Sequence, residues 1–183
     1  MNIKKSAHVS AYFLLKSENT MPILKLQKLL YLADRESMDR YDLPITFDHM
    51  VSMPHGPVLS VTLNLINGYI DSEVWKDLIS DKADHAVALA KKVVIDDLDE
   101  LSRVDIEILD SIWEKFGAMD QWTIRDYTHD NCPEWKDPEG SMLPINYETV
   151  FLALGRPLEE ARELGSELGD QANLNRYFSQ NAV

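Results

Sequence analysis

The chain has 183 residues, of which 45% are hydrophobic, a single cysteine and a formal net charge of −13. That length suits one domain with a real core and a short appendage, and the hydrophobic fraction excludes a disordered chain. The longest apolar runs are a few residues, which excludes a helix of the roughly 20 apolar residues needed to cross a bilayer. The lone Cys132 excludes an intrachain disulfide, so a reducing, cytoplasmic setting is expected.

The N-terminal stretch MNIKKSAHVSAYFLLKSENT carries lysines and an apolar patch but no small-residue cleavage site. It reads as an amphipathic helix from Lys4 to Lys16 rather than a signal peptide. Thr20 is then expected to cap a second helix with Pro22 in its first turn. In that helix Leu26, Leu29, Leu30 and Ala33 recur at the spacing of a buried face, and Leu24, Tyr31 and Leu32 widen the apolar arc, so a central position is predicted. A third helix is expected to begin at Pro57, after a corner shaped by Gly56, and to stop at Gly68. Ala86–Leu89 and Val93–Ile95 are β-branched pieces that could pair with Met50–Met53 in a small sheet.

Ser102, followed by Asp105 and the stripe Ile108, Leu109, Ile112, Trp113 and Phe116, announces a capped helix ending at Gly117. A shorter helix over Gln121–Thr128 leads into a loop in which Thr128 and His129 bond free carbonyls. There the Trp135 indole N–H should find a backbone acceptor. Asn146 caps the next helix, with Ile145 and Val150 placed as a staple and Gly155 as its stop. From Arg156 one more helix and a tail follow, weakened by Gly165 and Gly169. The expected fold class is mainly α: a compact single-domain helical bundle with a small β-hairpin or three-stranded β element. Residues 1–155 form the domain and 156–183 a C-terminal helix and tail.

Candidate chemistry is sparse. His55 stands between Pro54 and Gly56, and no acid or nucleophile lies close enough in the chain to make it a presumptive base. His129 and Cys132 are three residues apart, but no supporting acid or oxyanion element accompanies them. Neither HExxH nor CxxC occurs, nor any phosphate loop, GxGxxG after a strand, or GxSxG. No catalytic set, cofactor or metal site is therefore expected, and His55 is assigned a structural or partner-contacting role. The acid is uneven: residues 1–40 hold seven Lys/Arg against four Asp/Glu, whereas residues 67–110 hold five against twelve. Such a surface repels phosphate, so direct nucleic-acid binding is disfavoured, and it favours a basic partner.

Three segments in order carry a family resemblance. KLQKLLYLAD (Lys25 to Asp34), HGPVLSVTLNLI (His55 to Ile66), and LSRVDIEILDSIWEKFG with the later IRDYTHDNCPEW (Ile124 to Trp135) together resemble the Panacea-domain family. These are the SocA-like antitoxins of bacterial and phage toxin–antitoxin pairs. Glu134 separates Pro133 from Trp135 where that family usually has a direct Pro-Trp pair. The resemblance covers roughly residues 5–155. It implies motif residues Lys25, Leu26, Gln27, Lys28, Gly56, Pro57, Thr128 and Pro133, and a non-enzymatic protein that binds and blocks a cognate toxin. Toxins beside such proteins include nucleotide-pyrophosphate synthetase-like enzymes and inhibitors of translation or replication. A second implied mode is an adaptor that delivers the toxin to a cytosolic protease. Partner contacts are expected at Tyr31, His55, Asp96, Asp97, Asp99, Glu100, His129 and Trp135, within the acidic stretch 96–110, the His55 turn and the tail.

Overall fold

A computed structural model describes residues 1–181, with side-chain surroundings given through residue 174. Its centre is the helix α2, Ile23–Tyr41, in which every residue from Leu26 to Asp34 is buried. A run of nine buried residues cannot fit one face of a helix, so α2 must be enclosed on several sides. α1 (Ile3–Lys16) and α5 (Arg103–Phe116) pack on one side of it, α6 (Gln121–Asn131) on another, and α7 (Tyr147–Ala153) near its C-terminal half. The first helix forms where expected, but it is not amphipathic through its middle: Ser6 to Leu14 are all buried, so α1, like α2, is enclosed on several sides. The other helices are α3 (Ser60–Ile66), α4 (Glu73–Lys76) and α8 (Leu158–Asn181). The mainly helical class with a minor β component is what the structure has.

The small sheets depart from expectation in instructive ways. β1, Thr20–Pro22, pairs with β4, Ala86–Ala88, and β2, Met50–Met53, lies between β3, Gly56–Leu59, and β5, Leu143–Pro144, all antiparallel. Thr20 is therefore a strand residue and not a helix cap. Pro22 occupies the capping position of α2 with no side-chain bond, while the Ile23 N–H donates to His85 O at 2.9 Å. Ala86–Ala88 is a strand as expected, but its partner is β1 rather than Met50–Met53. Val93–Ile95 is no strand: a 3-10 turn covers Ile95–Asp97.

The third helix also starts later than Pro57. Gly56 to Leu59 extend as β3 because pairing with β2 outweighs the local helical spacing, and α3 begins at Ser60. Its free N-terminal donors are met from outside the segment. The buried Asp48 accepts from Val61 N at 2.9 Å, Thr62 N at 2.8 Å and the Thr62 hydroxyl at 2.6 Å. Four local readings hold. Ser102 and Asp105 form a capping box, Asn146 accepts from Thr149 N, Gly155 follows α7 with φ +88°, and α6 ends near the expected place, though it runs on to Asn131.

α8 packs along α7, with Ala161 and Leu168 in the core. Gly165 has a packing reason: a Cβ there would lie 2.9 Å from the Glu148 backbone N. The glycine that weakens the helix intrinsically is what allows the two helices to meet.

Candidate functional site

Parts of all three sequence motifs meet where α2, the β2–β3 hairpin and the end of α6 come together. β3 is an edge strand, and its edge away from β2 is covered by side chains of α2 instead of another strand. Gln27 Oε1 accepts from Leu59 N at 3.2 Å, and Lys28 Nζ donates to Pro57 O at 2.7 Å. Pro57 sits where its missing N–H would have faced that covered edge, so a proline is tolerated. Gly56 has φ +92°, and a Cβ on it would lie 2.8 Å from Thr128 Oγ1 and 2.9 Å from Lys28 Nζ. Only glycine satisfies both the conformation and the space. Lys25 reaches the other way, from α2 to Gly117 O at 2.7 Å.

Lys28 is fully buried, and burial pushes its amine down to about 7. Beside it Cys132 is buried too, and burial pushes its thiol up to about 12, opposite to what a nucleophilic thiolate needs. Glu134, the residue that interrupts the family's Pro-Trp pair, turns inward. Its Oε1 accepts from the Tyr31 hydroxyl at 2.6 Å and from Arg35 Nε at 2.6 Å. Tyr31 is thus wholly internal and offers no surface to a partner, which corrects its expected place among the contacts. Its hydroxyl is pushed well up by burial first and by Glu134 second. The Trp135 ring stacks on His129 with centroids 4.0 Å apart, and its indole N–H donates to Met53 O at 3.0 Å, as its sequence context suggested. Thr128 donates to Arg125 O at 2.7 Å, and the exposed Pro133 leads the chain from α6 to Glu134. His129 Nε2 and Glu134 Oε2 are buried without a hydrogen-bond partner. Leu26 is core.

Next to this closed region lies an open one. A groove of about 880 Å³ runs between the start of α2, the hairpin tip, α3 and the start of α6. Apolar side chains Ile23, Leu24, Val58 and Leu63 form much of its wall. His55 is exposed at its rim, edge-on to Trp122 with centroids 6.3 Å apart, and Trp122 is 50% exposed. The opposite rim is the two-residue turn Asp84–His85, both with positive φ, flanked by the Ala83–Ala86 bridge. Gln27 lies in the groove floor, only 1% exposed, and its Nε2 has no hydrogen-bond partner. Because Oε1 already holds the Leu59 N–H, the amide cannot be flipped, and the unmet end is a donor.

The acidic stretch 96–110 is less free than its composition suggests. Lys4 bridges Asp99 at 2.8 Å and Glu100 at 3.3 Å, Lys5 bridges Asp105, and Lys16 bridges Asp110 at 2.8 Å. The basic N-terminal helix and the acidic segment are each other's counterions. Asp97 accepts from Val94 N at 2.9 Å, and Asp96 is exposed. The structure therefore does not bring Asp96, Asp97, Asp99 and Glu100 together with His55, His129 and Trp135, which lie where the motifs meet. Glu134 and Trp122 were missed by sequence reasoning. The signals were an acid inserted into an aromatic turn, and a tryptophan off the Ile124–Thr128 buried stripe. Among the described residues no group of three or more His, Cys, Asp or Glu is placed to hold a metal ion, and no helix is long and apolar enough to cross a membrane.

Residues 26–136, more than half of the chain, match the family described as antitoxin SocA-like, Panacea domain. The chain belongs to the SocA-like Panacea family. The matched span opens inside α2 and closes just after Trp135, so it contains both ends of the Lys28–Pro57 and Tyr31–Glu134 bonds. Within that span Lys28 fastens α2 to the hairpin, and Tyr31 fastens it to the loop after α6. No curated protein and no solved structure matches the chain.

Proposed function

We propose that this Panacea protein is an antitoxin that neutralises a cognate protein toxin by direct, non-covalent binding in the cytoplasm, and itself makes or breaks no covalent bond. The observation that carries the reading is the family match over 26–136, within which Gln27 and Lys28 are spent on holding the edge of β3. A buried high-pKa thiol and an inward-facing carboxylate suit a scaffold better than a reaction centre. With a formal charge of −13 the chain suits a toxin of basic surface and not a phosphate backbone. Contacts are assigned to the His55 turn, the flanking His129 and Trp135, the acids Asp96, Asp97, Asp99 and Glu100, and the C-terminal tail.

The test is co-expression and co-purification with the product of the adjacent gene. Relief of that product's toxicity and co-elution as a stable complex support the reading; failure of both overturns it. Following the partner's lifetime in the same cells separates two modes. A long-lived, inactive partner means blocking, and a shortened lifetime means delivery to a protease.

A further inference from the structure

We propose that the groove between α2, the hairpin tip, α3 and α6 is where the toxin is gripped: an apolar side chain of an extended toxin segment enters it, and a neighbouring backbone carbonyl accepts from Gln27 Nε2. The inference deepens the antitoxin reading and rests on it. Two independent features point to an occupant. The first is the Gln27 amide, buried in the groove floor with its acceptor end used and its donor end unmet. A buried, unmet donor costs about 1–3 kcal/mol, and a ligand acceptor would remove that cost. The second is Trp122, half exposed at the rim, of the residue type that dominates protein–protein contact energies.

The chemistry of the lining narrows the occupant. The floor offers a neutral donor, and the lining cation Lys82 is engaged with Asn67 Oδ1 at 2.7 Å. A carbonyl therefore suits Gln27 better than a carboxylate or phosphate, whose charge a neutral amide donor does not offset. A second copy of the chain brings another −13 to the contact and is disfavoured by repulsion. A peptide segment from a basic partner meets both conditions. The rim turn Asp84–His85, at φ +49° and +61°, is the two-residue hairpin turn between Ala83 and Ala86, which fixes the shape of that rim.

The experiment is titration calorimetry of the full chain with the adjacent-gene product, for the wild type and for Gln27→Glu, Leu63→Glu and Trp122→Ala. Gln27→Glu keeps an oxygen for the Leu59 N–H and replaces the free donor. Trp122→Ala removes a half-exposed ring and leaves the core untouched, so loss of folding does not confuse it. Each change is expected to weaken binding at least about tenfold, while Leu143→Ser, on the far strand β5, leaves it unchanged. A wild-type complex whose affinity ignores all three changes overturns the groove and leaves the antitoxin reading standing. Absence of a wild-type complex overturns both. Self-association of the wild type that Leu63→Glu abolishes would make the occupant a second copy and overturn the proposal as well.

Discussion

Two neighbouring regions of the molecule use the same helix in opposite ways. In the motif interior, α2 sends Lys28 to Pro57 O, and Tyr31 with Arg35 to Glu134, so its polar groups are answered within the chain. At the groove, α2 presents Gln27, the neighbour of Lys28, with one end answered and the other open. The difference separates what makes the fold from what the fold can offer. Lys28, Tyr31, Arg35 and Glu134 build a frame inside the span that matches the family, and beside that frame lies a lined, partly apolar surface.

The comparison breaks first at Glu134. Glu134→Ala leaves Tyr31 and the Arg35 guanidinium without their shared acceptor, and urea denaturation should show a loss of about 3 kcal/mol or more. A change within the error of the wild type would remove Glu134 from the frame. Gly56→Ala should cost somewhat less, about 2–3 kcal/mol, because the new Cβ meets Thr128 and Lys28 and the backbone must hold φ +92°.

Much of the frame was legible in the sequence and much of the groove was not. The buried run of α2, the Ser102 capping box and the Trp135 indole bond rest on local spacing and chemistry that a chain displays openly. Gly56–Leu59 misled because its helical spacing is real, yet the strand pairing that overrides it depends on Met50–Met53 and on side chains of α2 about thirty residues earlier. The same holds for Asp48 as the cap of α3 and Glu134 as partner of Tyr31, for which no local pattern encodes the meeting. The acidic stretch misled for a related reason. Net charge read along the chain does not reveal that Lys4, Lys5 and Lys16 fold onto it.

Lys28 sharpens the comparison through pH. Its folded pKa of about 7 lies below its ordinary 10.5, so the unfolded chain binds the extra proton between those values and stability rises with pH across that window. The gain is at most about 1.4 kcal/mol per pH unit. Between pH 7 and 8, below the ordinary cysteine pKa of about 8.5, the wild-type urea midpoint should climb. In Lys28→Met the climb should be lost, and equal slopes for the two proteins would contradict a buried, deprotonating amine.

The smallest effect belongs to the groove rim. His85→Gly relieves a left-handed residue in the Asp84–His85 turn and should stabilise the chain by about 0.5–1 kcal/mol in a thermal melt. If the turn shapes the contact surface, the same variant should bind its partner less well despite being more stable. Greater stability with equal or tighter binding would show that the turn is not part of the surface.

Hydrogen–deuterium exchange on the complex with the adjacent-gene product tests the division between frame and groove most directly. Protection gained on binding should concentrate in the hairpin tip around Met53–Val58, the 82–85 turn and the first turn of α6 at Gln121–Trp122. The interior of α2 should already be slow in the free chain. Protection confined to the 96–110 segment, with the groove exchanging as it does in the free protein, would contradict the account.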